Sequence, residues 1–272
     1  MKFSVLMSVY KQEKSTYLQQ AIDSVVNQTL PPSQIVIVKD GPLTKELDAV
    51  IDFCAKKNPC FTIVTLKKNS GLGVALNHGL KACKYNIVAR MDTDDISVPE
   101  RFEKQITYMS KHRNLAIIGS NIQEYNEDMS TKLSARKVPK DTADILKYAK
   151  NRNPFNHMSV VYKKDAVLKA GGYLHCQYFE DYYLWIRMLK QGGQFHNIQE
   201  LLVNVRAGQS MTDRRGGIGY VSCIINFQRK ALKLKYVNLP TMLYNIVIRS
   251  VISVAPSNFR KYLYNKKLRE RS

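Results

Sequence analysis

A glycine-rich phosphate loop is missing from the place where a nucleotide-binding α/β chain most often carries one. The stretch after the first apolar run reads SVYKQEKS and contains no glycine. A dehydrogenase of the GxGxxG type needs glycine there so that backbone can approach a pyrophosphate. A sugar nucleotidyltransferase needs a glycine-rich loop at the same point, so both readings fail on this absence. Cysteine is sparse and unpatterned: Cys54, Cys60, Cys83, Cys176 and Cys223 are odd in number and form no CxxC. They point to reduced thiols in a cytoplasmic setting, and to neither a disulfide framework nor a zinc site. No repeat with a period of 20–50 residues and no low-complexity segment is present. The apolar run at 243–254 is too short to span a bilayer comfortably and is interrupted by Arg249. The opening MKFSVLMSVYKQE is too short an apolar run for a signal peptide and reads as a first strand.

Acidic residues are scarce at the C-terminal end. Residues 229–272 hold 11 Lys+Arg against Glu270 alone, whereas residues 1–100 hold 12 Lys+Arg and 10 Asp+Glu. Half of the net charge of +20 thus lies in the last 44 residues. Such a tail points to an anionic surface. No helix-turn-helix or RNA-binding signature accompanies it, so a membrane face is expected and nucleic acid is not. An apolar segment beside FRKYLYNKKLRER fits a helix lying in the membrane interface. The plain alternative is a terminal helix packed on the domain with a solvated basic end.

What the chain does have is alternation. Apolar, β-branched runs at 3–9, 35–38, 61–66 and 86–91 predict buried strands. Between them, 15–28, 44–57 and 72–83 carry apolar residues at helical spacing, the first with Ser15 as its expected cap and the last opened by NSGLG. Strand–helix–strand repetition implies a parallel sheet with helices on both faces. Beyond residue 99 the pattern is less regular. Pro99 suits the first turn of a helix over 99–112. A strand at 115–122, a polar stretch at 123–140 and a helix near 141–150 follow. A further helix opens with Glu180 and Asp181 and ends at Gly192 and Gly193. Two short strands around 195–206 and a long helix over about 217–235 complete the expected series.

In parallel sheets ligands collect at the carboxyl ends of the strands. Strand one ends in SVYKQE, strand two in VKDG and strand four in RMDTDD, so Asp40, Asp92, Asp94 and Asp95 are expected on one rim. Three like charges within four positions repel and require a positive partner. A divalent cation bridging a diphosphate would serve, and Mn²⁺ or Mg²⁺ needs few protein ligands because phosphate and water complete the shell. Arg206, Arg214 and Arg215 are candidates for the remaining phosphate charge, although each could equally sit in a surface salt bridge. The carboxylates of Glu180 and Asp181 at a helix start are favoured as anions by the helix dipole, which suits a general base as well as a simple cap. An aspartate-dependent phosphatase also uses DxD, but on its first strand.

The segments SVLMSVYKQE, IVIVKDG, NSGLGVALNHGLKAC, VARMDTDDISVPERF, NHMSVVYKKDAVLKAGGY and FEDYYLWIRM occur in the order found in family 2 glycosyltransferases. The chain resembles that family over about residues 1–215, and looks most like bacterial members that build O-antigen or capsule repeat units on a lipid diphosphate carrier. The resemblance implies an α/β enzyme of the inverting GT-A type, with a Rossmann-like, mainly parallel mixed sheet, flanking helices and a basic helical tail. It implies a nucleotide-sugar-binding half at 1–100, an acceptor-binding half at 101–235 and a membrane-associating tail at 236–272. Ser8, Val9, Tyr10 and Glu13 would line the nucleotide pocket, and Asp40 would meet the uracil or ribose. Asn69, Gly71, Asn77, Arg90, Thr93, Arg206 and Arg214 would complete the donor site. Asp92-Thr93-Asp94 would be the DxD motif, with Asp92 near the ribose or metal and Asp94 on Mn²⁺ or Mg²⁺. Asp181 would deprotonate the acceptor hydroxyl with support from Glu180, and His157 and Trp185 would shape the acceptor and sugar sites. Many relatives have DDG where this chain has KDG, so Lys39 replaces an aspartate. The implied reaction is a single displacement from a nucleotide-sugar, a UDP-hexose, onto a lipid-diphosphate-linked saccharide at the inner face of the cytoplasmic membrane. The rival reading is an inactive transferase fold kept as a membrane-associated binding protein, against which the intact Asp92, Asp94 and Asp181 weigh.

Overall fold

Alternation along the first strand, β1 (Ser4–Val9), establishes two layers. Val5, Met7 and Val9 enter one core cluster while Leu6 enters another, as the two-residue pleat requires. A computed structural model, which describes residues 1–207 and 217–255, shows how the layers are completed. The first face is covered by α1 (Ser15–Val26), α2 (Lys45–Lys57) and α4 (Arg101–Lys111). The second is covered by α3 (Leu72–Ala82), α5 (Thr142–Tyr148), α6 (Lys164–Lys169) and α7 (Glu180–Lys190).

The other strands are β2 (Gln34–Lys39), β3 (Phe61–Thr65), β4 (Ile87–Arg90), β5 (Ile96–Ser97), β6 (Leu115–Tyr125), β7 (Lys132–Arg136), β8 (Val161–Lys163) and β9 (Gln194–Arg206). They form one mixed sheet in the order β3-β2-β1-β4-β8-β6-β9-β5, with β7 paired to β6. β1 runs parallel to β2 and β4, β2 to β3, and β6 to β9. β8 runs antiparallel to both of its neighbours, β4 and β6. The carboxyl ends of β1, β2, β4, β6 and β9 therefore meet the amino end of β8 along one edge. That edge gathers Tyr10, Asp40, Asp92, Arg206 and the short 3₁₀ turn His157–Ser159 that precedes β8.

The elements depart from the expected ones in four places. Lys14, not Ser15, occupies the N-cap of α1, and no side chain caps that end. Pro99 lies before the N-cap Glu100, because the Arg101 N–H already turns back onto the Val98 carbonyl. The polar stretch after residue 122 continues β6 and adds β7. The two short strands expected around 195–206 are one 13-residue strand, β9. Its register against β6 slips near Asn121, where exposed Gln199 and Glu200 bulge outward.

A third apolar cluster joins α7 to α8 (Ile218–Lys233) and α9 (Leu239–Val254) through Phe179, Tyr182, Ile224, Phe227 and Met242. Asn238 caps α9 by accepting the Thr241 N–H at 3.0 Å. Among the described residues no helix is long and apolar enough to cross a membrane.

Helix α3 crosses β1 and β2 so closely that a Cβ at Gly79 would stand 2.3 Å from Leu6 Cδ1 and 2.6 Å from Val38 Cγ2. Gly79→Val is expected to destabilise the chain by roughly 1–3 kcal/mol through overpacking, although valine is the better helix former. Urea denaturation would show this as a lower midpoint with an unchanged slope.

Candidate active site

The acidic turn after β4 is built around two buried arginines. Arg90, the last residue of β4, is fully buried; its guanidinium donates to the Leu6 carbonyl at 3.3 Å and pairs with the Asp92 carboxylate. Arg101, the first residue of α4, is also fully buried and donates to the Arg90 carbonyl at 2.7 Å and to Gln105 Oε1 at 3.0 Å. Burial, and then the charge of Arg90, pushes Arg101 down to about 9, which still leaves it protonated at neutral pH. The Thr93 hydroxyl donates to Glu13 Oε2 at 2.8 Å, and Asp95 accepts the Arg206 backbone N–H at 3.1 Å. Asp94 has no such cationic partner among the described residues. Burial, then Asp92 and Glu13, pushes its carboxyl up to about 7.

Several expected donor contacts prove to be scaffolding. Asp40 is buried, and its two oxygens accept the backbone N–H groups of Ser70 at 2.7 Å and Gly71 at 3.0 Å. Gly41, at φ +88°, packs so tightly that a Cβ there would lie 2.5 Å from the Asn69 nitrogen. Asp40 and Gly41 thus clamp the loop that carries exposed Asn69 and Gly71 into α3. Asn77 spends both ends of its amide on the Tyr173 backbone, at 2.7 and 2.9 Å, and so braces the 172–173 turn. Val9 points wholly into the core and reaches the edge only through its carbonyl, which accepts the Asp40 N–H at 2.8 Å. Ser8 is half-buried and Tyr10 exposed at that edge. Lys39 turns away to pair with Asp48 of α2 at 2.5 Å. Arg206 is not free for phosphate: its guanidinium grips the carbonyls of Asp94 and Glu127 and the Gln20 side chain, over the Tyr17 ring. Arg214 and Arg215 lie outside the described residues.

The second acidic centre faces the same edge. Asp181, in the first turn of α7, accepts from Asn153 Nδ2 at 2.7 Å and from the Tyr182 N–H at 2.6 Å. A carboxylate offers about four acceptor positions, so two remain for a substrate hydroxyl. Glu180 lies beside α3, its side chain 3.5 Å from where a Gly73 Cβ would be, and burial raises its carboxyl above the ordinary range. Tyr178, just before this helix, is held at φ +66°, a region that bulky residues rarely adopt. His157 stands between the two acidic centres. Its Nε2 is 3.0 Å from the Tyr173 hydroxyl, and its ring feels the charges of Arg90, Asp181 and Asp92 together. Trp185 does not line the site. It is fully buried, edge-on to Phe155 at 5.7 Å, and forms the wall behind His157 at 6.0 Å. A cavity of about 390 Å³ opens beside Asp181 and His157 and extends under α9. Asp40, Asp92 and Asp94 do not line it.

The family model described as "Glycosyl transferase family 2" matches residues 4–169. The chain belongs to glycosyl transferase family 2. It is 42% identical over 264 residues to the amylovoran biosynthesis glycosyltransferase AmsE of Erwinia amylovora, covering 97% of this chain and 98% of that one. It is 38% identical over 268 residues, 98% of this chain and 97% of that one, to the Escherichia coli UDP-Gal:alpha-D-GlcNAc-diphosphoundecaprenol beta-1,3-galactosyltransferase. In fold it matches S. aureus TarS 1-349 in complex with UDP-GlcNAc at a TM-score of 0.69 and 16% identity, covering 98% of this chain and 76% of that one. The mixed sheet and its flanking helices are thus those of a GT-A glycosyltransferase.

Three supports of this glycosyltransferase's site went unassigned from sequence: Arg101, Asn153 and Tyr173. Arg101 carried the only available signal, a charge opening the apolar face of a helix in SVPERF. Asn153 and Tyr173 gave none, since each acts on a residue 28 or 16 positions away. Burial, aided by Arg90, pushes His157 down to about 4 against the pull of Asp181 and Asp92. Its contribution to stability is therefore fully present above the unfolded value of 6.5 and is lost as pH falls from there toward 4, at no more than about 1.4 kcal/mol per pH unit. Denaturation midpoints taken across pH 4–7 are expected to fall less steeply with acid for His157→Asn than for the parent chain.

Proposed function

We propose that this glycosyltransferase moves a hexose from a UDP-sugar to a hydroxyl of a lipid-diphosphate-linked saccharide during surface polysaccharide synthesis, with inversion at the anomeric carbon. One observation supports the reading: His157 feels the charges of both Asp92 and Asp181. It lines the same cavity as Asp181 and is held by the Tyr173 hydroxyl at 3.0 Å, so we read the DxD turn and the α7 carboxylates as flanking one reaction space. Similarity along nearly the whole chain to a diphosphoundecaprenol galactosyltransferase and to an amylovoran glycosyltransferase supports the donor and acceptor classes.

The donor's uridine and ribose lie along the Ser8–Tyr10 edge and the Asn69–Gly71 loop, with Glu13 and Thr93 beneath. Asp92 and Asp94 suit a hard divalent cation, because the crowding that raises Asp94 is what a bound cation would relieve. Among the described residues no group of three or more His, Cys, Asp or Glu is arranged to hold a metal, so diphosphate oxygens and water would supply the other ligands. Mn²⁺ or Mg²⁺, when bound, offsets the charge of the departing diphosphate. Asp181 accepts the proton of the attacking hydroxyl. As the new oxygen–carbon bond forms on one face of the anomeric carbon, the bond to the diphosphate oxygen breaks on the other. The nucleotide diphosphate leaves with that electron pair. Asn153 fixes the Asp181 carboxylate and Glu180 supports it, while neutral His157 borders the sugar. The domain roles follow: donor recognition at 1–100, acceptor recognition at 101–235, and membrane contact from 236 onward. The exposed apolar side of α9, followed in sequence by the basic run ending at Arg271, supports peripheral attachment to an anionic membrane face.

Asp181→Asn keeps the helix start and the fold, and is expected to lower kcat by about 100-fold or more with little change in donor KM. A kcat close to the parent's would remove Asp181 as the base. For the cation, Mn²⁺ added to UDP should raise the melting temperature beyond UDP alone, and Asp94→Asn should lose that increment. Full turnover in EDTA would contradict the metal assignment.

A further inference from the structure

The cavity beside Asp181 is lined by three arginines and two carboxylates. Arg136 donates to the Asn153 carbonyl at 2.9 Å, and Arg249 of α9 donates to the Asn151 carbonyl at 2.7 Å. Between them Arg152 lies against the Tyr148 ring at 5.3 Å, and its guanidinium makes no hydrogen bond among the described residues. The acids of the cavity are Asp181 itself and buried Glu124, whose carboxylate accepts from the Ser134 hydroxyl at 2.5 Å. The 151–153 segment therefore holds the Asp181 carboxylate with one side chain while two arginines hold its carbonyls. The donor diphosphate belongs at Asp92 and Asp94, which do not line this cavity. The lining has one more arginine than carboxylates, and the Arg152 guanidinium without a hydrogen bond is open to an anion close to the hydroxyl that Asp181 contacts.

Helix α9 says what that anion is attached to. Ile248 and Ile252 line the cavity next to Arg249. On the outer side of the same helix Leu243, Val247, Val251 and Val254 are 51–59% exposed and form a continuous apolar stripe. Tyr244 and Ile248 line the cavity yet are 60% and 43% exposed, so they join its mouth to the edge of this stripe. A guanidinium pocket bordered in this way is complementary to a phosphate group carrying a lipid chain. We propose that this cavity is the diphosphate subsite of the acceptor: Arg152 and Arg249 hold the phosphates, the accepting sugar lies between them and Asp181, and the lipid leaves along α9. The inference rests on the lipid-linked acceptor reading given above and adds where, and by which side chains, that acceptor is held.

Binding of farnesyl diphosphate to the full chain, measured with UDP saturating the donor site, tests it. Arg152→Gln and Arg249→Gln are each expected to weaken farnesyl diphosphate about tenfold or more, the scale of a lost charge-assisted hydrogen bond. Both should raise acceptor KM correspondingly and leave the affinity for UDP unchanged, and Arg249→Lys should recover part of the loss. Arg249 also braces Asn151, so if Arg249→Gln melts early, Arg152→Gln, which breaks no hydrogen bond, decides the matter. Undiminished binding by the variants, displacement of farnesyl diphosphate by UDP, or equally tight binding of farnesol would each overturn the subsite. The acceptor reading fails separately, if the parent chain glycosylates a saccharide lacking diphosphate as well as it does a lipid-diphosphate one. Diphosphate-dependent transfer that the arginine variants leave untouched would reject the subsite alone.

Discussion

The buried ion pair of Arg90 with Asp92 is the contact on which the rest of the site depends. A guanidinium in a sheet interior is costly unless it is paired and hydrogen-bonded. Arg90 answers that cost with the Leu6 carbonyl of β1 and the carboxylate two residues along its own chain. The acidic turn is therefore the counter-charge of the core beneath it, and Arg101 locks it from the other side through the Arg90 carbonyl. Burial and the neighbouring acids raise both Asp94 and Asp95, but Asp95 is fully buried and accepts the Arg206 N–H, which leaves Asp94 beside Asp92 as the raised carboxyl suited to a cation. Burial first, and then the Arg90 guanidinium, keep His157 neutral.

Around this pair, residues that resemble ligands act as clamps. Asp40 gives both oxygens to the 70–71 backbone, Asn77 gives its whole amide to Tyr173, and Arg206 grips the DxD loop from behind. Each fixes the backbone of a loop at the sheet edge. This division suits a transferase, which must hold a nucleotide diphosphate and an acceptor in one register while the bond between them is exchanged. Where a polar residue is already saturated by backbone partners, its substitution acts on geometry first and on binding second.

The strand ends, the position of the acidic turn after β4 and the helix opened by Glu180 and Asp181 were legible because they depend on local period and on helix-start chemistry. The long β9 was not. Its bulge at Gln199 and Glu200 reads as a polar break, and only pairing with β6 carries the strand through it. Trp185 was misplaced for a related reason. An aromatic on an amphipathic helix has the same spacing whether it faces a ligand or a core, and here α7 turns it behind His157. Ser15 and Pro99 likewise fit helix starts that backbone hydrogen bonds moved by one or two residues.

By itself the sequence determined the alternating layers, the family, and the crowding of acids at the ends of β2 and β4. These follow from neighbours along the chain, where apolar period and like-charge repulsion act over a few residues. Tertiary structure alone decided which of those acids are bonded to backbone, as Asp40 and Asp95 are, and which is paired with a buried arginine, as Asp92 is. It also decided that three arginines from β7, the 151–153 segment and α9 share a cavity with Asp181. Hydrogen bonding and charge pairing across more than a hundred residues of separation leave no local pattern, because any polar residue can satisfy them once the sheet has brought it within reach.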